Sequence, residues 1–545
     1  MSLYWAPRAW VDGRWAERVL LRVGDDGHWA EIATDVPAPP HAQPLAGPVL
    51  PGLVDAHSHA FQRAFAGLAE RRESAADDFW SWRDRMYRVA LRITPEQLRA
   101  VAGMLYAELL QGGYTQVCEF HYLQHASDGR PYADPLTLSW ALADAAADVG
   151  IGLTMLPVLY QRAGFAMPTL RDDQRRFATD AAAVRALQRG LAASGRPLLN
   201  AGVAIHSLRA AEPAAIAQLV ESLGDVPVHI HVAEQTAEVD DCLKATGQRP
   251  IEWLAAHAQL DARWQLVHAT HATAAEIDAV AGSGAGVVIC PSTEGNLGDG
   301  FTDIPGWLDG GVPLAIGSDS HVTRAWPEEL RWLEYGQRLL HRQRNVGAAP
   351  GLGEPATAAR LFQRALHAGG RAAGFGAWGL AAGARADLLV LDTQDDALLG
   401  VPAERLLDAL VFSSAGRPFR EVMVAGRWVR RSAGTAERFA DAMHALWQDT
   451  CAIRASSATT STPSASARCS SCWPARWPSH WRWCCCAAAA ACAAWPCRWS
   501  WWRWCSWAWA SRSGSAARPR PPPPCSSCAK RLRPSCASSA RACAR

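Results

Sequence analysis

The residues best suited to chemistry are His57 and His59, which close the apolar run VLPGLVDAHSH at residues 49–59. Alternate residues of a strand point the same way, so both imidazoles are presented to one side. Similar groups end other apolar runs. VPVHIHVAEQ carries His231 and Glu234, WQLVHATH carries His268 and His271, and VPLAIGSDSH carries Asp319. YTQVCEFHY ends in Glu119, His121 and Tyr122, and LNAGVAIHS in His206. Three imidazoles and a carboxylate, from His57, His59, His231 and Asp319, suit a divalent ion of the zinc type. Singly, each has a bland alternative: His231 as a satisfied core histidine, Asp319 as a helix cap in SDS. A metal site accounts for all four at once. A two-metal version would call for a bridging carboxylated lysine on a central strand, but Lys244 is the first lysine in the chain. One ion per chain is expected.

These groups need a scaffold that gathers strand ends. Between residues 50 and 320 there are eight strand-like runs, the remaining two being IGLTMLPVLY and AGVVICPST, and helical patterns lie between most of them. In TPEQLRAVAGMLYAELLQGG, Thr94 suits an N-cap, Pro95 the first helical position and Gln97 the far side of a capping box. Gly112 and Gly113 supply the stop. Eight repeated β-then-α units predict an α/β fold, a (β/α)8 TIM-type barrel over residues 50–379 whose C-terminal strand ends face the active site. The flanks, 1–49 and 380–430, carry strand-type residues around D-G and A-G turns and are expected to pair into a small β-sandwich. A C-terminal helix is expected over 431–451.

The formal charge of +2 gives no reason to expect nucleic acid or a membrane surface as a partner. The N-terminus MSLYWAPRAW lacks a secretory pattern, so a cytoplasmic enzyme is expected. Only Cys118, Cys242 and Cys290 precede residue 451, which excludes a disulfide framework from the body. Residues 452–545 differ in kind: they contain no Asp or Glu, yet hold eleven tryptophans, CCCAAAAACAA and RPRPPPP. Arg498 and Arg503 interrupt its apolar runs, so no clean membrane span emerges, and CSSC at 525–528 is a weak metal motif in so cysteine-rich a stretch. An aberrant low-complexity tail, of the kind a frameshift produces, is expected to be disordered and is assigned no function.

In order along the chain, GLVDAHSH, HIHVAEQ, LVHATH and IGSDSH resemble the amidohydrolase superfamily in its mononuclear deaminase branch. The resemblance covers about residues 1–450. Within that branch HAFQRAFAGL, DDFWSWRDRMY, CEFHYLQH and AIHSLRA resemble the formimidoylglutamate deiminases of histidine degradation. That resemblance implies zinc, a homodimer, and hydrolysis of N-formimidoyl-L-glutamate to N-formyl-L-glutamate and ammonia. It implies further that Asp319 accepts the water proton, His268 polarises the reacting group and Glu234 passes a proton to the leaving nitrogen. A substrate with two carboxylates calls for arginine forks. Arg83 in WSWRDRMY and Arg209 in HSLRA are the candidates, with Gln62, Tyr122 and His206 as hydrogen-bonding neighbours and Trp80 and Trp82 as walls or lid core. Any one arginine in so arginine-rich a chain could equally be a solvated surface residue. The rival readings are a deaminase of a cyclic base or nucleoside (guanine, cytosine or thioadenosine type), which shares the metal site, and a catalytically dead barrel used as a scaffold.

Overall fold

The computed structural model describes residues 2–72, 79–221, 223–414, 417–430 and 433–456. The tail from residue 457 on, with its CSSC and tryptophans, lies outside the described residues, as does the side chain of Trp80. All eight runs form parallel barrel strands. They are Leu53–Ser58, Tyr114–His121, Gly152–Leu159, a fourth split into Leu199–Ala201 and Val203–Ile205, Val228–Val232, Trp264–His268, Gly286–Ile289 and Leu314–Ile316. Nearly every residue in them is buried, as expected of parallel strands covered by side chains within and helices outside. The first and eighth strands meet at a parallel bridge between Ser58 and Asp319, where the Asp319 N–H donates to His57 O at 2.9 Å. Barrel closure therefore sets two of the candidate ligands side by side.

The local signals act as read. Helix Pro95–Gln111 starts at Thr94, whose side chain accepts from the Gln97 N–H, and Gln97 reciprocates at the Thr94 N–H. After it Gly113 turns into the second strand at φ 89°, a conformation natural to glycine. The flanks build a second sheet that includes Ser2–Val11, Arg14–Val23, Trp29–Ala33, Val49–Leu50, Leu388–Leu391, Phe419–Val424 and Arg427–Trp428. Tyr4 and Trp428 lie on well-separated strands of that sheet, yet their rings meet edge-on at 5.6 Å. The sheet folds over on itself around Leu21, Trp29, Val49, Leu388 and Met423, giving the sandwich. Helix Thr435–Ser456 returns to the barrel, where Leu446 is buried and Trp447 Nε1 donates to Ala64 O at 3.0 Å. Among the described residues no helix is long and apolar enough to cross a membrane.

Candidate active site and metal centre

At the C-terminal mouth of the barrel, Nε2 of His57 lies 3.1 Å from Nε2 of His59 and 3.0 Å from Nε2 of His231. Asp319 Oδ1 stands 3.3 Å from His59 Nε2 and 3.6 Å from His57 Nε2. Three ring nitrogens facing one another cannot all donate, and His59 spends its Nδ1–H on Phe120 O at 2.9 Å, which leaves Nε2 as a lone pair. Burial pushes His57 down to about 3 and holds His59 and His231 below the ordinary histidine range, so all three are neutral, the form that ligates. At Asp319 burial favours the neutral acid, but His57, His59 and His268 outweigh it and keep the carboxyl well below the usual range. The donor set fits one divalent ion of the zinc type. Gly317 permits this convergence: a Cβ there would lie 2.7 Å from His57 Cβ and 2.9 Å from its backbone nitrogen.

Two titratable groups flank the cluster. His268 ends the sixth strand at φ 70°, its ring stacked on His231, with Nε2 at 3.8 Å from Glu234 Oε1 and 3.9 Å from Asp319 Oδ2. Burial opposes a charge on His268, but the carboxylates of Glu234, Glu294 and Asp319 prevail and lift it to about 10. Glu234 is raised to about 7 by burial, partly offset by His268. A carboxyl near neutrality can both give and take a proton at physiological pH.

All five expected substrate residues line the same cavity as His59, His231, Glu234, His268 and Asp319. Gln62 sits in the 3-10 turn Ala60–Ala64 after the first strand and donates to Tyr122 OH at 3.2 Å. His206 follows the fourth strand, packed against the Tyr160 ring at 4.4 Å. Arg209 stands three residues further on, and Arg83 comes from helix Phe79–Ala90, which overhangs the mouth with Trp82. Burial lowers the Arg83 pKa, and the positive charge of Arg209 adds to that effect, so the two cations share one cavity. Glu119 and His121, at the end of the second strand, and His271, three residues past the sixth, do not line it.

Residues 49–429 match the Amidohydrolase family. The chain belongs to that family. It is 48% identical over 436 residues to a formimidoylglutamate deiminase of Pseudomonas aeruginosa, an alignment covering 79% of this chain and 95% of the relative. A crystal structure of an amidohydrolase from Brucella melitensis superposes with a TM-score of 0.78 at 41% identity, over 82% of this chain and all of that one. An adenosine deaminase from Xanthomonas campestris, crystallised with bound zinc, shares the fold at a TM-score of 0.67 and 24% identity, over 83% of this chain and 98% of that one.

Several supports of this amidohydrolase site are not apparent from the sequence. Asp55 accepts from Ser318 N–H at 2.8 Å and lies 2.6 Å from Ser318 Oγ. That Oγ also meets His321 Nδ1, and His321 Nε2 meets His59 O, both at 3.0 Å. The chain of contacts ties the first strand to the loop carrying Asp319. Glu119 grips the other side of His59, accepting from Ser58 Oγ at 2.9 Å and Ala60 N–H at 2.6 Å. Tyr87 and Tyr160 line the cavity, joined by Gln174 Nε2, which donates to their hydroxyls at 3.3 and 2.9 Å. Tyr160 ends the third apolar run as Tyr122 ends the second, so the same strand-end rule reaches it; for Tyr87, one residue in an arginine- and aromatic-rich stretch, no such signal exists.

Proposed function

We propose that this amidohydrolase is a metal-dependent formimidoylglutamate deiminase, converting N-formimidoyl-L-glutamate and water to N-formyl-L-glutamate and ammonia. The observation that carries the reading is one cavity lined by His59, His231 and Asp319, with His57 buried against the two histidines, and by two arginines. The 48% identity to the Pseudomonas aeruginosa deiminase supports it. His57, His59, His231 and Asp319 would hold the ion. When bound, zinc supplies Lewis acidity, lowering the pKa of a water from about 16 to about 7.

Asp319, whose carboxyl stays ionised, accepts the proton released as water attacks the amidine carbon. His268 directs Nε2 at the reacting group and stabilises charge developing there. Glu234, poised at about 7, delivers a proton to the nitrogen that departs as ammonia when the C–N bond breaks. Arg83 and Arg209 take the two substrate carboxylates, with Gln62, Tyr122 and His206 as polar neighbours. Residues 50–379 form the catalytic unit of this proposal, with 1–49 and 380–430 as the β domain and 431–451 as a closing helix. The resemblance adds a homodimer, to be tested by sedimentation, and a cytoplasmic location, to be tested by fractionation.

The deciding experiment is ammonia release from a panel of formimidoylglutamate, formiminoglycine, guanine, cytosine and adenosine analogues. Turnover confined to formimidoylglutamate is expected. Preference for a cyclic base would give the site to the rival deaminase class, and no release from any of them would favour a scaffold.

A further inference from the structure

We propose that Glu294, in helix Pro291–Leu297 after the seventh strand, is the positioning residue for His268: its carboxylate takes the His268 Nδ1–H and so commits Nε2 to the reaction cavity. The inference rests on the deiminase reading for its kinetic consequence, though not for its structural one.

Beyond packing against the rings of His231 and His57, the ring of His268 has few polar contacts to hold it. Its backbone ends the sixth strand in the left-handed region at φ 70°, and only 1% of its surface is exposed. Nδ1 lies 3.3 Å from Glu294 Oε1, whereas Nε2 is 3.8 Å from Glu234 and 3.9 Å from Asp319, beyond hydrogen-bond reach. Glu294 therefore provides the one short polar contact this ring makes among the described residues. A ring nitrogen that donates to a carboxylate fixes which nitrogen faces the other way, and it fixes the plane of the ring as well.

Glu294 is itself tied down by hydrogen bonds. Its Oε1 also accepts the Cys290 N–H at 2.9 Å, and its own N–H donates to Cys290 O at 3.0 Å. It rides on helix Pro291–Leu297, which starts at a proline and ends at Gly298 with φ 74°. That helix is pinned in turn: Glu329 accepts from Ser292 N–H at 3.0 Å and from Ser292 Oγ at 2.6 Å, all of it buried. Helix Trp326–His341, which carries Glu329, thus sets the orientation of a ring in the cavity through two buried carboxylates.

The test uses metal-loaded full-length protein with 15N-labelled histidine, the His268 signal being identified by its loss in His268→Asn. Wild type is expected to show a protonated, strongly hydrogen-bonded Nδ1, and Glu294→Leu to lose that signature with metal content unchanged. On formimidoylglutamate, Glu294→Leu should lower kcat by about 10- to 100-fold with KM little altered, and Glu294→Gln, which keeps an acceptor oxygen, should recover part of the loss. Should Glu294→Leu fail to fold, Glu294→Gln alone decides, because replacing the charged acceptor must move the Nδ1–H resonance. An Nδ1 without a proton in wild type, an unmoved resonance in Glu294→Gln, or an unchanged kcat in Glu294→Leu overturns the proposal. If wild type turns over no formimidoylglutamate but the resonance behaves as described, the deiminase reading fails and the positioning role stands.

Discussion

Replacing Arg209 or Arg83 by methionine puts the substrate assignment at risk. Methionine keeps much of the stem volume and removes the charged fork. Stripping one partner from a desolvated, hydrogen-bonded charge pair costs on the order of 2–5 kcal/mol, because the carboxylate is left without its counter-ion. Two features of this cavity set the expected value within that range. Arg83 is buried enough to lower its pKa, which places the pair in a medium where charge interactions are strong. However, Arg209 is among the charges that depress Arg83, so deleting either cation also relieves repulsion in the empty enzyme. The loss should lie near the lower end, about 2 kcal/mol, which is about 30-fold in kcat/KM. Lysine should rescue poorly, since it restores charge without the planar fork. The assay is steady-state ammonia release, with metal content measured on the same preparations. N-formimidoyl-4-aminobutyrate, which lacks the α-carboxylate, assigns each arginine: the one that meets that group should matter little for this analogue. If both methionine variants process formimidoylglutamate at wild-type efficiency, the two-arginine clamp is wrong and a cyclic-base deaminase becomes the better reading.

Other consequences are open to direct measurement. Glu234→Gln should retain the metal and bind substrate while kcat falls by about 100-fold or more; loss of metal would make Glu234 a ligand or ligand support instead. Chelation should abolish turnover and one equivalent of zinc should restore it, whereas two tightly bound ions in active enzyme would refute the single-ion centre. Glu329 is raised from 4.5 to about 7 by burial, so the folded chain keeps this proton to higher pH than the unfolded chain does. Its contribution to stability is therefore full below about 4.5 and lost as pH rises through about 7, so Glu329→Gln should gain on wild type by on the order of 3 kcal/mol across that window. Urea denaturation at pH 4.5 and pH 8 reads the gap, and a constant gap would sink the idea. Truncation after residue 450 keeps Leu446 and Trp447, the anchors of the last helix, and should leave folding and activity intact; an inactive or insoluble product would count against it.

What could be read from the sequence follows from how far each interaction reaches along the chain. Strand runs buried on both faces are continuously apolar, and they end in polar residues where they open into the mouth; that contrast locates His206, His231, His268 and Asp319 without knowledge of their partners. The pair His57 and His59 needs only the two-residue strand repeat, and Thr94 with Gln97 only the first turn of a helix. The rule also overreaches, because Glu119 and His121 at the end of the second strand, and His271 in the turn after the sixth, stand outside the cavity: the end of an apolar run selects a face of the barrel, not which side chains look inward. The supports of the site are of another kind. Asp55 and Ser318 are 263 residues apart and become neighbours only when the first and eighth strands close the barrel. Gly317 matters because His57 passes within 3 Å of where its side chain would be, a fact about closure rather than about glycine. Glu294 is the least legible of all. In a seven-residue helix opened by Pro291 it reads as an ordinary acid in a first turn, favourable to the helix dipole wherever it points. Only the fold, which brings its Oε1 to 3.3 Å from His268 Nδ1, turns a local helix former into a partner for a ring that lines the cavity.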